Sequence, residues 1–158
     1  MKTNLLFPNR FKIIGWVLLI PSTILGIAVF FFDVEFDFLK FKVFAIYSEP
    51  LLGKDTVMGF TKINITLTIT GLLFLIGALF VAFSKEKHED EFIAKTRLES
   101  LVWATYINYA ILIFCLLFIY ELAFLYVLVG NMFTILIFFI LRFYYILYKT
   151  NKSLKNEK

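Results

Sequence analysis

Apolar residues fill four long blocks, at about 13–32, 64–83, 101–120 and 123–146, with polar or amphipathic stretches between them. Each block is twenty residues or more. At 1.5 Å per residue, a helix of that length matches the roughly 30 Å hydrocarbon core of a bilayer. The pattern therefore predicts an all-α membrane protein with four transmembrane helices. The sharpest transition lies within 84–120, SKEKHEDEFIAKTRLESLVWATYINYAILIFCLLFIY, which contains neither Gly nor Pro. Residues 85–99 hold ten ionisable side chains and residues 101–120 hold none. A charge at mid-bilayer costs a few kcal/mol or more, so the break marks where one helix passes from water into lipid. The third span is thus predicted to extend into water as a charged helix over 85–100.

Two rows run along this helix. Lys87, Glu91, Lys95 and Glu99 fall four apart with alternating sign, each pair contributing roughly 0.2–0.5 kcal/mol. Ala94, Leu98, Leu101, Thr105, Asn108, Leu112, Cys115 and Ile119 form a heptad seam suited to packing on a neighbour. Its small and polar members suit close approach and interhelical hydrogen bonds in lipid. Trp103, Tyr106 and Tyr109 sit just inside the charge break, where amphipathic aromatics favour the interface.

The first block follows Lys2, Arg10 and Lys12. It is too long for a signal-peptide core and lacks a cleavage site after it, so it reads as an uncleaved span. Pro21 is predicted to kink it by freeing the Val17 carbonyl. Ser22 and Gly26 form a small-xxx-small contact pair. The loop 33–62 is amphipathic: Val34, Phe36 and Phe38 alternate with Asp33, Glu35 and Asp37, and Leu39, Phe41 and Val43 with Lys40 and Lys42. Such alternation argues for a surface strand, with a short amphipathic helix as the alternative. SEPLLGKD at 48–55 is turn-rich. The Phe-rich loop suits a cap folded onto the span ends or the lipid headgroups. Alternation runs on through KINITLTIT. A strand there would leave only 71–83, too short to cross. Residues 64–83 are therefore read as helix, with Asn64 as N-cap and Thr hydroxyls bonding carbonyls one turn back.

Only Glu121 and Leu122 separate the third and fourth blocks, and so short a turn forces antiparallel neighbours. Folding about it sets Tyr109 level with Thr134, and Asn108 within about one residue of the same depth. It predicts that a face of Gly130, Asn131 and Thr134 meets the Thr105/Asn108 seam. The polar tail 149–158 is expected to be disordered.

Composition agrees with lipid as the solvent. The 158 residues are 61% hydrophobic and 20% aromatic, with 21 Phe, and mean hydropathy is +0.85. A soluble domain of this size cannot hide that much apolar surface. One domain is expected over 1–158. The single cysteine, Cys115, leaves no disulfide within the chain and no Cys-based metal site. Twelve Lys and Arg fall on one side: before the first span, within 85–99, and from Arg142 onward. Four fall in 33–62. The positive-inside rule then places both termini and the charged helix in the cytoplasm. The net charge of +4 reads as an orientation signal, not as a nucleic-acid footprint.

Candidate chemistry is sparse. In His88-Glu89-Asp90-Glu91, His88 and Glu91 meet on a helix, as do Glu86 and Asp90. A metal site wants three or four converging ligands, and the chain has one His. A solvated helix start with acids near the positive end of the dipole fits better, so no metal or cofactor is expected. No Asp, Glu or Lys lies within a span, which argues against a proton-coupled pump. No phosphate loop, nucleophile elbow, CxxC or HExxH is present, and no catalytic residue is assigned. Glu91, Lys95, Arg97 and Glu99, with Phe92 as apolar anchor, form the expected surface for a cytoplasmic partner or a second copy. Thr105, Asn108, Tyr109, Asn131 and Thr134 are read as intramembrane polar packing or, alternatively, as a polar path. Arg142 and Lys149 are read as snorkelling cations able to meet an anionic lipid headgroup.

FPNRFKIIGWVLLIPSTILGI, SKEKHEDEFIAKTRLESLVWATYINY and GNMFTILIFFILRFYYILY together resemble a group of small multi-pass proteins of Bacteroidota. The resemblance covers most of the chain outside 33–62. It implies a bacterial inner-membrane protein with four spans and transfers no catalytic residue. The resulting expectation is a non-catalytic membrane protein that binds, senses or scaffolds through its cytoplasmic helix. A small transporter or lipid-binding protein is the alternative.

Overall fold

The computed structural model describes residues 6–32, 36, 39–48, 56–87 and 89–156. In chain order the elements are α1 (Arg10–Phe32), β1 (Lys40–Ser48), β2 (Thr56–Asn64), α2 (Thr66–Phe83), α3 (Glu91–Phe118) and α4 (Glu121–Asn156). All four helices are long and apolar enough to cross a membrane. Contacts gather into two compact units, one of Met1–Val17 with Leu75–Lys158 and the other of Leu18–Phe74.

In the Leu18–Phe74 unit, the loop between α1 and α2 forms strands. β1 and β2 pair antiparallel, with Lys40 opposite Asn64, Phe44 opposite Phe60 and Ser48 opposite Thr56. The expected strand at 34–38 and the turn at 48–55 fall largely outside the described residues. The alternation through KINITLTIT is divided between two elements, and Asn64 makes the switch. Its Oδ1 accepts from the Thr66 backbone N–H at 3.0 Å and from the Thr66 hydroxyl at 2.6 Å, which ends the strand and caps the helix. Thr70 then donates to the Thr66 carbonyl at 2.8 Å, one turn back. α1 passes through Pro21 without a break in the helix. Beside it the Ser22 hydroxyl donates to the Leu18 carbonyl at 2.7 Å. The Thr23 hydroxyl donates to the Leu19 carbonyl at 2.6 Å. A Cβ on Gly26 would sit 3.7 Å from the Thr70 methyl, an ordinary contact.

In the other unit, the chain ahead of α1 pairs with the end of α2. Phe7 N–H donates to the Phe83 carbonyl and Lys85 N–H to the Phe7 carbonyl, both at 2.9 Å, making a parallel bridge between Phe7 and Ser84. This pairing keeps Ser84 and Lys85 out of a helix. The charged helix expected over 85–100 begins only at Glu91, where Asp90 accepts from Ile93 N–H at 2.8 Å as N-cap. Lys87 therefore drops out of the four-apart row. α3 closes with Ile119 N–H on the Cys115 carbonyl at 2.8 Å. The turn falls at Ile119–Tyr120, two residues before the expected pair, and Glu121 opens α4 with φ of 58°. α4 continues to Asn156, so the tail expected to be disordered is helical for most of its length. Its lysines favour that end of a helix dipole.

The buried face of α3 is Thr96, Arg97, Ser100, Ala104 and Asn108. This corrects the first part of the heptad seam, because Leu98 is 63% exposed and Ala94 is also exposed, whereas from 108 to 120 the seam members Asn108, Leu112, Cys115 and Ile119 are the residues that are not exposed. Ser100 and Ala104 have no exposure, while α4 buries Phe139, Ile140 and Phe143. Phe83, Phe139 and Phe143 form a continuous stack with successive centroids 5.8 Å apart. Small residues suit the approach of such rings better than the leucines of the predicted seam.

Gly15 sets how closely α1 and α2 meet. A Cβ there would lie 2.8 Å from Val81 N, 2.9 Å from the Gly77 carbonyl oxygen and 2.9 Å from Phe80 Cβ. Gly130 has nothing within 4 Å, so it is not the close contact expected for the α4 face. Gly15→Ala should destabilise the protein by about 1–3 kcal/mol, since backbone must move to admit the methyl. Gly130→Ala should stabilise it by roughly 0.5–1 kcal/mol by removing unfolded-state freedom in a helix. Thermal unfolding of the two variants in one detergent checks both signs.

Candidate functional site

Charged residues collect where the loop 84–90 meets α3, α4 and the start of α1. Arg97 was expected in the exposed partner-facing row, and the structure corrects this: its side chain is only 10% exposed. It reaches back to the loop. Nη1 donates to Glu89 Oε1 at 2.5 Å, and Nη2 to Glu89 Oε2 and the Ser84 carbonyl, each at 3.3 Å. Its guanidinium carbon lies 5.2 Å from the Phe143 ring centroid. A planar, permanently charged guanidinium suits a two-pronged carboxylate and an aromatic face at once. Arg97 Nε and the Ser84 and Ser100 hydroxyls are buried without a hydrogen-bond partner among the described residues.

Partial burial acts to raise the pKa of Glu89. The Arg97 hydrogen bond, the Glu86 backbone N–H and the charges of Arg97 and Lys85 outweigh it, and the carboxyl is held below its ordinary 4.5.

A second ion pair lies in the same unit. Lys12 Nζ donates to both Glu86 carboxylate oxygens at 2.7 Å. Lys12 also stands 4.8 Å from the Tyr144 ring centroid, and Trp16 packs on that ring at 5.6 Å. Asn9 Nδ2 donates to the Lys85 carbonyl at 2.6 Å. Beside them opens a cleft of about 620 Å³ whose lining includes Lys12, Trp16, Glu86, Phe92, Ile93 and Leu147. Phe92 is 46% exposed, and Glu91, Lys95 and Glu99 are exposed as well. Lys95 and Glu99 pair loosely at 3.8 Å, which at such exposure contributes little. Glu86 is engaged by Lys12, which leaves it a poor partner for a metal with Asp90. His88 lies outside the described residues.

The polar residues of the apolar helices, expected to act together, separate. Thr134 donates to Asn108 Oδ1 at 2.5 Å, and its hydroxyl also lies 3.2 Å from the Asn131 carbonyl. The register expected from the short turn is therefore right to within one residue. Thr105 instead donates to the Leu101 carbonyl in its own helix at 2.9 Å, and Tyr109 is 55% exposed. Arg142 donates to the Glu99 carbonyl at 3.2 Å and lies 5.0 Å over the Trp103 ring. It stands in a groove of about 640 Å³ with Trp103, Phe138, Leu141, Tyr145 and Ile146. Lys149 is exposed.

Comparison with known protein families, curated proteins and solved structures finds no match. The local chemistry must carry the functional reading. Sequence reasoning missed Lys12, Trp16, Glu89 and Tyr144. Lys12 and Glu86 are 74 positions apart, and no local spacing announces such a pair.

Glu89→Gln should remove stability that is fully present above pH 4.5 and lost as pH falls through the lowered Glu89 value. Unfolding midpoints from pH 7 to pH 3 should therefore fall less steeply in the variant. At neutral pH it should be less stable by roughly 2 kcal/mol, because Arg97 loses its charged acceptor. In a double-mutant cycle, Asn108→Leu and Thr134→Val should couple by about 0.5–2 kcal/mol.

Proposed function

We propose that this chain is a non-catalytic multi-pass protein of the bacterial inner membrane, with both termini in the cytoplasm, that binds a soluble protein partner through the start of α3. The observation that carries this reading is the division of charge there. Arg97 is paired with Glu89, and Lys12 with Glu86. Glu91, Lys95 and Glu99 stay exposed around Phe92, which stands at the edge of the cleft. An exposed aromatic beside a cleft that sets Trp16, Ile93 and Leu147 among charged side chains suits anchoring, and a row of alternating charge sets partner choice and orientation. The orientation rests on the excess of Lys and Arg on one side. The resemblance to Bacteroidota membrane proteins agrees with that compartment. A lipid-binding role has separate support in Arg142, whose cation is held over Trp103 in an apolar groove.

A photo-crosslinking residue at position 92 tests the proposal in cells, with adducts identified by mass spectrometry. One dominant cytoplasmic protein is expected. Its adduct should fall roughly tenfold when Glu91→Lys, Lys95→Glu and Glu99→Lys are combined, since the reversal inverts the charge pattern yet keeps the internal Lys95/Glu99 attraction. Adducts with the chain itself alone would overturn the reading and make this surface an oligomer contact.

A further inference from the structure

The β1–β2 hairpin leaves one face open among the described residues. By strand alternation this face carries Lys42, Phe44 and Ile46 of β1 with Phe60 and Lys62 of β2. Phe44 is 55%, Ile46 72% and Phe60 75% exposed, and neighbouring Met58 is 70% exposed. Phe44 and Phe60 are cross-strand partners with ring centroids 5.6 Å apart, edge to face. They form a paired aromatic platform set in a regular ladder. The other face is less open: Phe41 is 50% and Ile63 36% exposed, but Val43, Ala45 and Thr61 are only partly exposed and the Thr61 hydroxyl is buried.

Lys42 and Lys62 are also direct cross-strand partners. Like charges placed directly opposite repel and destabilise a hairpin. β1 and β2 together contain three lysines and no acidic residue, so neither strand supplies a counter-charge. An anion between the two ammonium groups relieves the repulsion. The apolar patch continues from the lysines along the same face. A ligand that matches both has a negative headgroup joined to an apolar body.

The chain path says where such a ligand is met. Lys62 precedes the first residue of α2, Thr66, by four positions, which is roughly 13 Å of extended chain. If α2 is a span, the lysine pair stands at the headgroup layer. We propose that this face of the hairpin lies on the phospholipid surface of the membrane that α1 and α2 cross, with Lys42 and Lys62 together holding a lipid phosphate and Phe44, Ile46, Met58 and Phe60 entering the acyl boundary. The site is separate from the α3 surface, and its test does not involve a protein partner.

The experiment uses the full chain with Cys115→Ala, a nitroxide attached through Phe60→Cys, and vesicles of phosphatidylcholine with or without phosphatidylglycerol. Accessibility to oxygen, which prefers lipid, and to a water-soluble nickel chelate reports depth. The expected result is a label that sees oxygen and is shielded from the chelate, more so with phosphatidylglycerol, while a label through Thr61→Cys is not shielded in this way. Lys42→Glu makes an opposite-charge pair with Lys62 and so preserves the hairpin. It should nonetheless lower the docked population in phosphatidylglycerol vesicles about fivefold. A position-60 label open to the chelate in both vesicles would overturn the proposal. So would spin–spin broadening from a second copy without lipid shielding, which makes the face a contact between copies. A depth that Lys42→Glu leaves unchanged overturns the phosphate assignment.

Discussion

A guanidinium that cannot lose its charge must be given partners wherever it is buried, and Arg97 imposes that demand on the unit around it. The demand is met from three directions: the Glu89 carboxylate and the Ser84 carbonyl from the loop, and the Phe143 face from α4. To supply them, residues 84–87 and 89–90 must stay out of a helix. The Phe7 bridge holds the first of them in that state, and Asp90 caps the helix that follows. The start of α3, the position of α4 and the anchoring of the chain before α1 are thus consequences of satisfying one charge.

That arrangement also sorts the surface. Charges that serve the fold are paired and partly buried, as with Lys12 and Glu86 at side-chain exposures of 22% and 14%. Glu91, Lys95 and Glu99, with only the loose Lys95–Glu99 pair among them, remain in solvent beside an unsheltered phenylalanine. On the hairpin, two facing lysines and the exposed Phe44–Phe60 pair likewise share one open face among the described residues. Groups that a fold leaves unsatisfied or uncovered are the ones free to meet something else.

The polar residues within the apolar helices show the opposite use. Asn108 and Thr134 spend their hydrogen bonds on each other, across two helices joined by a two-residue turn. Thr70 and Thr105 return theirs to the preceding turn. In a nonpolar medium the absence of competing water favours such internal pairing.

The sequence by itself determined the four helices, the alternation that becomes the start of β1, and the level at which α3 and α4 meet, while β2 came only from the structure. Each of the first three follows from a local quantity: the length of an apolar run, a period of two, or the shortness of a turn. Only the tertiary structure decided which charges are buried, where α3 begins and which face of its first half packs. Arg97 and Lys95 differ little in sequence context, both lying in the same charged helix, yet one is engaged by Glu89 and Phe143 while the other stands in solvent. Gly15 is likewise one glycine among seven until α2 passes within 3 Å of where its side chain would be. Burial and close approach depend on what folds back from far along the chain, and no local pattern carries that information.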